Sequence, residues 1–190
     1  MTIKPSKGRF IVLEGPDGVG TTTQATKLAD AIWPHRTCMV TQEPSRTTDL
    51  GKHIRLLLKS EAPSQAIQQR LALLFAADRI EHLSMVVQPA IERGTDIICD
   101  RYLLSSLVYQ TLYLPVWWVQ DINRFAIQPD LTILLTLPVE EAIARVDRRG
   151  DAKEIFEAEA LQAKIHMMYN QRSRFVDAVT VNALGTVDEV

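Results

Sequence analysis

The run Gly15-Pro16-Asp17-Gly18-Val19-Gly20-Thr21-Thr22 constrains this chain more than any other stretch. It follows a short apolar run, Phe10 to Leu13, and opens a segment with helical spacing, so the backbone must pass from strand to tight loop to helix. Glycines allow successive backbone N–H groups to turn toward one point, and the helix N-terminus adds positive potential there. This is the order of a Walker A loop, which holds the β- and γ-phosphates of a nucleoside triphosphate. Gly15, Gly18, Val19, Gly20, Thr21, Thr22 and Thr23 are the candidate phosphate contacts, with Thr22 at the hydroxyl position that ligates Mg²⁺. One position departs from the pattern. Thr21 stands where a lysine would reach the phosphates and neutralise charge developing in the transition state. The loop therefore admits three readings: a working phosphate site, one that binds nucleotide without turning it over, and a plain glycine-rich turn.

Beyond the loop, β-branched runs alternate with longer helical patterns. Phe10 to Leu13, Thr37 to Thr41, Asp96 to Cys99, Leu131 to Thr136 and Ala178 to Val181 are the predicted strands. Helix-compatible spacing covers Thr21 to Trp33, Asp49 to Lys59, Ser64 to Glu92, Val116 to Ala126, Val139 to Arg148 and Ile155 to Val176. The alternation predicts an α/β fold of the P-loop NTPase kind, a three-layer sandwich in which helices cover both faces of a five-stranded parallel sheet. Pro89 should kink or divide the long third helix. A chain of 190 residues fits one domain, residues 1–190, and shows no repeat or linker. Asn182 to Glu189 reads as the cap and first turn of a helix that the sequence does not complete.

Hydrophobic residues make up 46% of the chain, yet no apolar run approaches the roughly 18 residues of a membrane span. No leader-like stretch precedes Phe10, which predicts a cytoplasmic protein without a membrane partner. Cys38 and Cys99 each lie inside a strand-like run and read as buried free thiols. A net charge of −2 removes the usual electrostatic argument for a nucleic-acid partner. His35, His53, His82 and His166 fall outside every motif and read as surface or boundary residues.

Two further segments carry chemistry. Asp100-Arg101-Tyr102 follows the third predicted strand, at the carboxyl end where parallel sheets place ligand-binding groups. Asp100 can organise Mg²⁺, and Arg101 offers either a phosphate fork or one half of an internal ion pair. Phe75 and Arg79 stand four apart on one helical face, where an aromatic plate and a guanidinium can together hold a base; each taken alone is an ordinary packing or solvated residue.

In order along nearly the whole chain, FIVLEGPDGVGTTTQ, LLFAADRIEHL, CDRYLLSSLVYQ and PDLTILLTLPVEEAIAR resemble the thymidylate kinase family. The resemblance implies transfer of the γ-phosphoryl group of ATP to dTMP, with Mg²⁺, giving dTDP and ADP for dTTP synthesis. It places Phe75 on the thymine ring, Arg79 at its edge, Ser105 and Ser106 beside it with Ser106 near N3, Tyr109 under the deoxyribose and Gln110 behind them. By the same resemblance Asp17 approaches the sugar and the metal shell, and Arg101 bridges the phosphates. The segment Gln42-Glu43-Pro44-Ser45-Arg46 is similar to a family loop in which a proline, often cis, presents an arginine to the dTMP phosphate, here Arg46. Arg55 is a second candidate and equally a surface charge. Some family members carry an arginine at the position of Gly18, and others supply it from a lid. Glycine resembles the second type, which makes Arg148, Arg149 and Lys153, in a mobile lid near 147–155, the expected compensating cations, with Arg149 first. The acceptor phosphate is already anionic, so no general base is needed. A homodimer is also implied, through the Ser64 to Glu92 and Val116 to Ala126 regions; Trp117 and Trp118 fit an interface or the core. Two other functions stay open: a relaxed or different deoxypyrimidine monophosphate kinase, and a silent nucleotide-binding homologue.

Overall fold

A computed structural model describes residues 7–60, 64–149 and 159–190. In chain order the elements are β1 Phe10–Glu14, α1 Thr21–Ile32, β2 Cys38–Gln42, α2 Asp49–Ser60, α3 Gln65–His82, α4 Gln88–Glu92, β3 Asp96–Asp100, α5 Leu103–Tyr109, α6 Val116–Ile122, β4 Leu131–Thr136, α7 Val139–Arg149, α8 Glu159–Arg172 and β5 Val179–Asn182. The strands form one five-stranded parallel sheet in the order β2-β3-β1-β4-β5. The strand pleat sends alternate residues of β1 to opposite faces. Phe10 and Val12 meet Leu83, Val87, Ala90 and Tyr102 on one face, while Ile11 and Leu13 meet Ala25 and the inner side of α1 on the other. Burial on both faces explains why these strands read as continuous apolar runs. A larger cluster joins α2, α3, α5, α6 and α8 around Ile54, Leu71, Leu107 and Tyr169.

The long helix expected from Ser64 to Glu92 is divided before Pro89. A wide turn over Leu83–Val87 separates α3 from α4, and the Gln88 N–H reaches back to the Leu83 carbonyl. The looser turn accommodates a proline that offers no N–H of its own. Helix α5 had no counterpart in the helical periodicity. Leu104, Ser106, Leu107, Val108 and Tyr109 are all buried, so the helix is enclosed nearly all round and presents no polar stripe. The turn after β5 closes on itself, with Glu189 Oε2 accepting from the backbone N–H of Thr186 at 2.8 Å and from its hydroxyl at 2.9 Å. Both cysteines are buried and free. No helix among the described residues is long and apolar enough to cross a membrane.

Candidate active site

The carboxyl ends of β1 and β3 lie side by side, with Leu13 opposite Asp100, and both strands open onto a cleft of ≈ 820 Å³. The loop from Pro16 to Thr23 walls one part of it, and Phe75, Arg79, Ser106 and Tyr109 wall another. Asp17, Arg46, Arg55, Asp100, Arg101, Ser105 and Gln110 also line it, so nearly all the residues singled out by motif are brought together. Gly15 contributes its carbonyl, which accepts from Arg101 Nη1 at 2.8 Å. Arg148 lies elsewhere, exposed, with Nε donating to the Ala144 carbonyl of its own helix. Lys153 falls outside the described residues, as do Gly150 and Asp151 and the side chain of Arg149.

The glycines of the loop have separate reasons. Gly18 adopts φ +85°, and a Cβ there would stand 2.3 Å from the Ala142 carbonyl of α7. Helix α7 thus packs so closely on the loop that an arginine at this position has no room. Gly20 adopts φ +95° with open space around it, so its requirement is conformational alone. At the mouth of the loop the Thr22 hydroxyl donates to Asp100 Oδ2, while Asp100 Oδ1 is buried with no hydrogen-bond partner. A hydroxyl and a carboxylate with an uncommitted oxygen suit a hard divalent cation that completes its shell with waters and phosphate oxygens. Among the described residues no group of three or more acids, histidines or cysteines is placed to hold a metal by itself.

Arg101 joins the two parts of the cleft. It adopts φ 68°, which turns its side chain out of the line of β3. Nη2 donates to Asp17 Oδ1 at 2.7 Å, and Nη1 donates to the Tyr169 hydroxyl at 3.0 Å and the Tyr109 hydroxyl at 3.3 Å. Proton placement follows from the acceptors. Ser105 Oγ donates to Glu14 Oε2 at 2.6 Å, so the 2.8 Å contact between Ser105 and Tyr169 requires the tyrosine to donate. Tyr109 donates its own proton to Asp17 Oδ2 at 3.0 Å. Glu14, fully buried, also accepts the backbone N–H groups of Tyr102 and Ser105, which ties the end of β1 to the start of α5. Burial raises the Glu14 carboxyl above its ordinary value, partly opposed by Ser105 and Arg101.

Arg79 is 2% exposed and almost saturated. Its Nε donates to Glu43 Oε2 at 2.8 Å, its Nη2 to the Tyr102 carbonyl and Ser106 Oγ, and its Nη1 to Asn123 Oδ1. His82 Nδ1 meets Glu43 Oε1 at 3.2 Å, and its Nε2 shares a hydrogen bond of 2.7 Å with the Thr41 hydroxyl. His82 is therefore an interior residue, 0% exposed, and not the surface or boundary histidine expected; His166, at 8%, is also buried. Phe75 is half-buried against the main core cluster and faces the cleft with its remaining edge.

The Glu43-Pro44 bond is cis. Asp78 secures the loop that follows, accepting the Ser45 N–H at 2.8 Å and the Thr48 hydroxyl, while Thr48 Oγ accepts the Gly51 N–H at the start of α2. Arg46 stands exposed on this loop, and Arg55 Nη2 donates to the Pro44 carbonyl. Glu14, Glu43, Asp78, Asn123, Arg145 and Tyr169 escaped the sequence reading. Asp78 beside Arg79 was an available signal, as a charge inside an apolar helical stretch. Arg145, which lines the cleft and donates to the Ala183 carbonyl at 3.1 Å, lies within the segment that carries the family resemblance from Pro129 to Arg145.

The sequence profile described as thymidylate kinase matches residues 13–190. A protein of Pyrococcus abyssi described as a probable thymidylate kinase is 45% identical over 97% of this chain and 92% of its own length. A counterpart from Pyrococcus horikoshii is 41% identical with the same coverage. The solved structure of thymidylate kinase from Candida albicans superposes with a TM-score of 0.79 at 29% identity, covering 96% of this chain and 87% of that one. With the profile spanning most of the chain and relatives this similar matched over nearly their full length, the chain belongs to the thymidylate kinase family.

Proposed function

We propose that this chain transfers the γ-phosphoryl group of ATP to dTMP, giving dTDP and ADP. The observation that carries the assignment is a single cleft in which a phosphate loop and a base-sized platform, Phe75 beside Arg79, meet at one arginine, Arg101. ATP enters along the loop from Gly15 to Thr23, and dTMP lies between Phe75, Arg79, Ser105, Ser106, Tyr109 and Gln110, with Arg46 and Arg55 toward its phosphate. Tyr109, hydrogen-bonded to Asp17, fills the space under the sugar, which favours a 2′-deoxyribose. Thr22 and Asp100 would hold Mg²⁺, which supplies charge neutralisation across the β- and γ-phosphates. Arg101 then aligns donor and acceptor phosphates in line, while Asp17 and Tyr109 fix its fork.

Thr21 leaves the loop without its usual cation, and the lid of residues 147–155 is the proposed source of the replacement, from Arg148, Arg149 or Lys153. The whole chain acts as one kinase unit in the cytoplasm. A homodimer through α3 and the turn after it, where Leu73, Ile80 and Met85 are exposed, fits the family resemblance. Trp117 is exposed, while Trp118 is partly buried against the core.

Steady-state ADP formation with dTMP, dUMP, dCMP and dGMP as acceptors, beside a no-acceptor control, tests the assignment. It predicts dTMP-dependent turnover with dTMP preferred. Equal use of the deoxypyrimidine monophosphates would replace it with a relaxed kinase, and tight binding without turnover with a silent homologue.

A further inference from the structure

A guanidinium carries one N–H on Nε and two on each Nη nitrogen. In Arg79 the Nε hydrogen goes to Glu43, both Nη2 hydrogens go to Tyr102 and Ser106, and one Nη1 hydrogen goes to Asn123. A single Nη1 hydrogen remains, on a side chain that lines the cleft beside Phe75 and Ser106. Its direction is set by its twin on the same nitrogen. Asn123 follows the last residue of α6 and is 6% exposed. Its Nδ2 donates to the Val119 carbonyl at 2.8 Å, so the amide presents Oδ1 to Arg79 and cannot turn its nitrogen there without losing that bond.

We propose that Asn123 is a positioning residue for base selection: by holding one Nη1 hydrogen of Arg79, it aims the other into the cleft as a fixed donor. The proposal rests on the dTMP kinase reading above. A donor at that place pairs with the O4 carbonyl of thymine or uracil and opposes the exocyclic amine of cytosine, which is itself a donor. Thymine and uracil share this edge and differ at C5, so Asn123 governs thymine against cytosine and leaves thymine against uracil untouched. A site whose polar groups are pre-aimed rejects a mismatched edge strongly, because the mismatch leaves a buried donor unpaired.

The test compares wild type, Asn123→Ala and Asn123→Asp on dTMP, dUMP and dCMP at saturating ATP, with a thermal melt of each variant. The alanine variant should raise KM for dTMP about tenfold and lower the dTMP-over-dCMP ratio of kcat/KM at least about fivefold. Its KM for ATP and its dTMP-over-dUMP ratio should stay at wild-type values. The aspartate variant keeps an acceptor oxygen toward Arg79 and should hold the dTMP-over-dCMP ratio within about twofold of wild type. A folded alanine variant that weakens all three acceptors equally overturns the proposal, since that is how a merely structural asparagine behaves. If the alanine variant does not fold, Asn123→Leu, similar in size and without the oxygen, takes its place and is read by the same outcomes, and a lost ratio in the aspartate variant overturns the proposal. A wild type that turns over dTMP without preferring it to dCMP also overturns the proposal, whereas a wild type that turns over none of the three acceptors defeats the kinase reading on which it rests.

Discussion

Arg101 and Asp17 form an ion pair of 2.7 Å across the floor of the cleft, each side chain 21% exposed, between the end of β3 and the phosphate loop. The pair joins the residue after β3 to the loop after β1, and Tyr109 closes the triangle through Asp17 Oδ2 at 3.0 Å. An arginine held at both nitrogens keeps a planar fork in one orientation, which a lysine cannot reproduce. Arg101→Lys should therefore lower kcat by about 10²-fold with a smaller change in the KM for ATP. Asp17→Asn should fall between it and wild type. Steady-state kinetics on purified variants checks both, and equal kcat values for Arg101→Lys and wild type would remove the fork from the mechanism.

Asp100 offers an unpartnered oxygen beside the Thr22 hydroxyl. Its replacement by asparagine keeps the shape and removes the charge, so the Mg²⁺ concentration for half-maximal rate should rise about tenfold, and chelation of Mg²⁺ should abolish wild-type turnover. Titrating Mg²⁺ at fixed ATP and dTMP measures this directly.

Compensation for Thr21 is the proposed task of the lid cations. Arg148→Ala, Arg149→Ala and Lys153→Ala, made singly, should include at least one variant with kcat reduced about 10²-fold or more. Thr21→Lys should change the rate only modestly. Turnover within a few-fold of wild type in all three alanine variants would locate the compensation elsewhere, and Arg145, already in the cleft wall, would be the next residue to substitute.

Two carboxylates should give opposite slopes of stability against pH. Burial raises the folded value of Glu14 above 4.5, so between the unfolded and folded values the native state holds more protons, and stability falls as pH rises through that window. The hydrogen bond from Arg36 lowers the folded value of Asp96 below 3.8, so its contribution is full above the unfolded value and is lost as pH falls through the folded one. Arg36 Nε and Nη2 reach Asp96 at 2.6 and 2.9 Å, and the Arg9 N–H reaches it at 2.7 Å. With Arg36 about a third exposed and partly screened, Asp96→Asn should cost about 1–2 kcal/mol near neutral pH and approach wild type in strong acid. Glu14→Gln should flatten the decline within that window. Urea unfolding across a pH series reads both slopes.

The sheet was legible because buried parallel strands are apolar on both faces: Leu131–Thr136 was read at its observed limits, and the other strands within a residue or so. The loop and the Asp100-Arg101-Tyr102 segment were legible because their chemistry is local to a few consecutive residues. Helix α5 was not, since a helix buried on nearly every side loses the polar stripe that marks helical period. The support around Arg79 was equally hidden. Glu43, Asn123 and Ser106 come to it from separate parts of the chain, and neither the fully buried His82 nor the internal cap at Glu14 has a local signature. Of the two readings of Arg101, the internal ion pair is observed, and its partner is Asp17 of the loop, distant in sequence.

The most direct measurement follows the transferred phosphorus itself. ATP labelled at the γ-phosphate is mixed with unlabelled dTMP, Mg²⁺ and the purified protein, and the nucleotides are separated. The account predicts label in dTDP, on its β-phosphate, at a rate matching ADP formation. Label appearing only as free phosphate, or remaining in ATP while both nucleotides are bound, would contradict it.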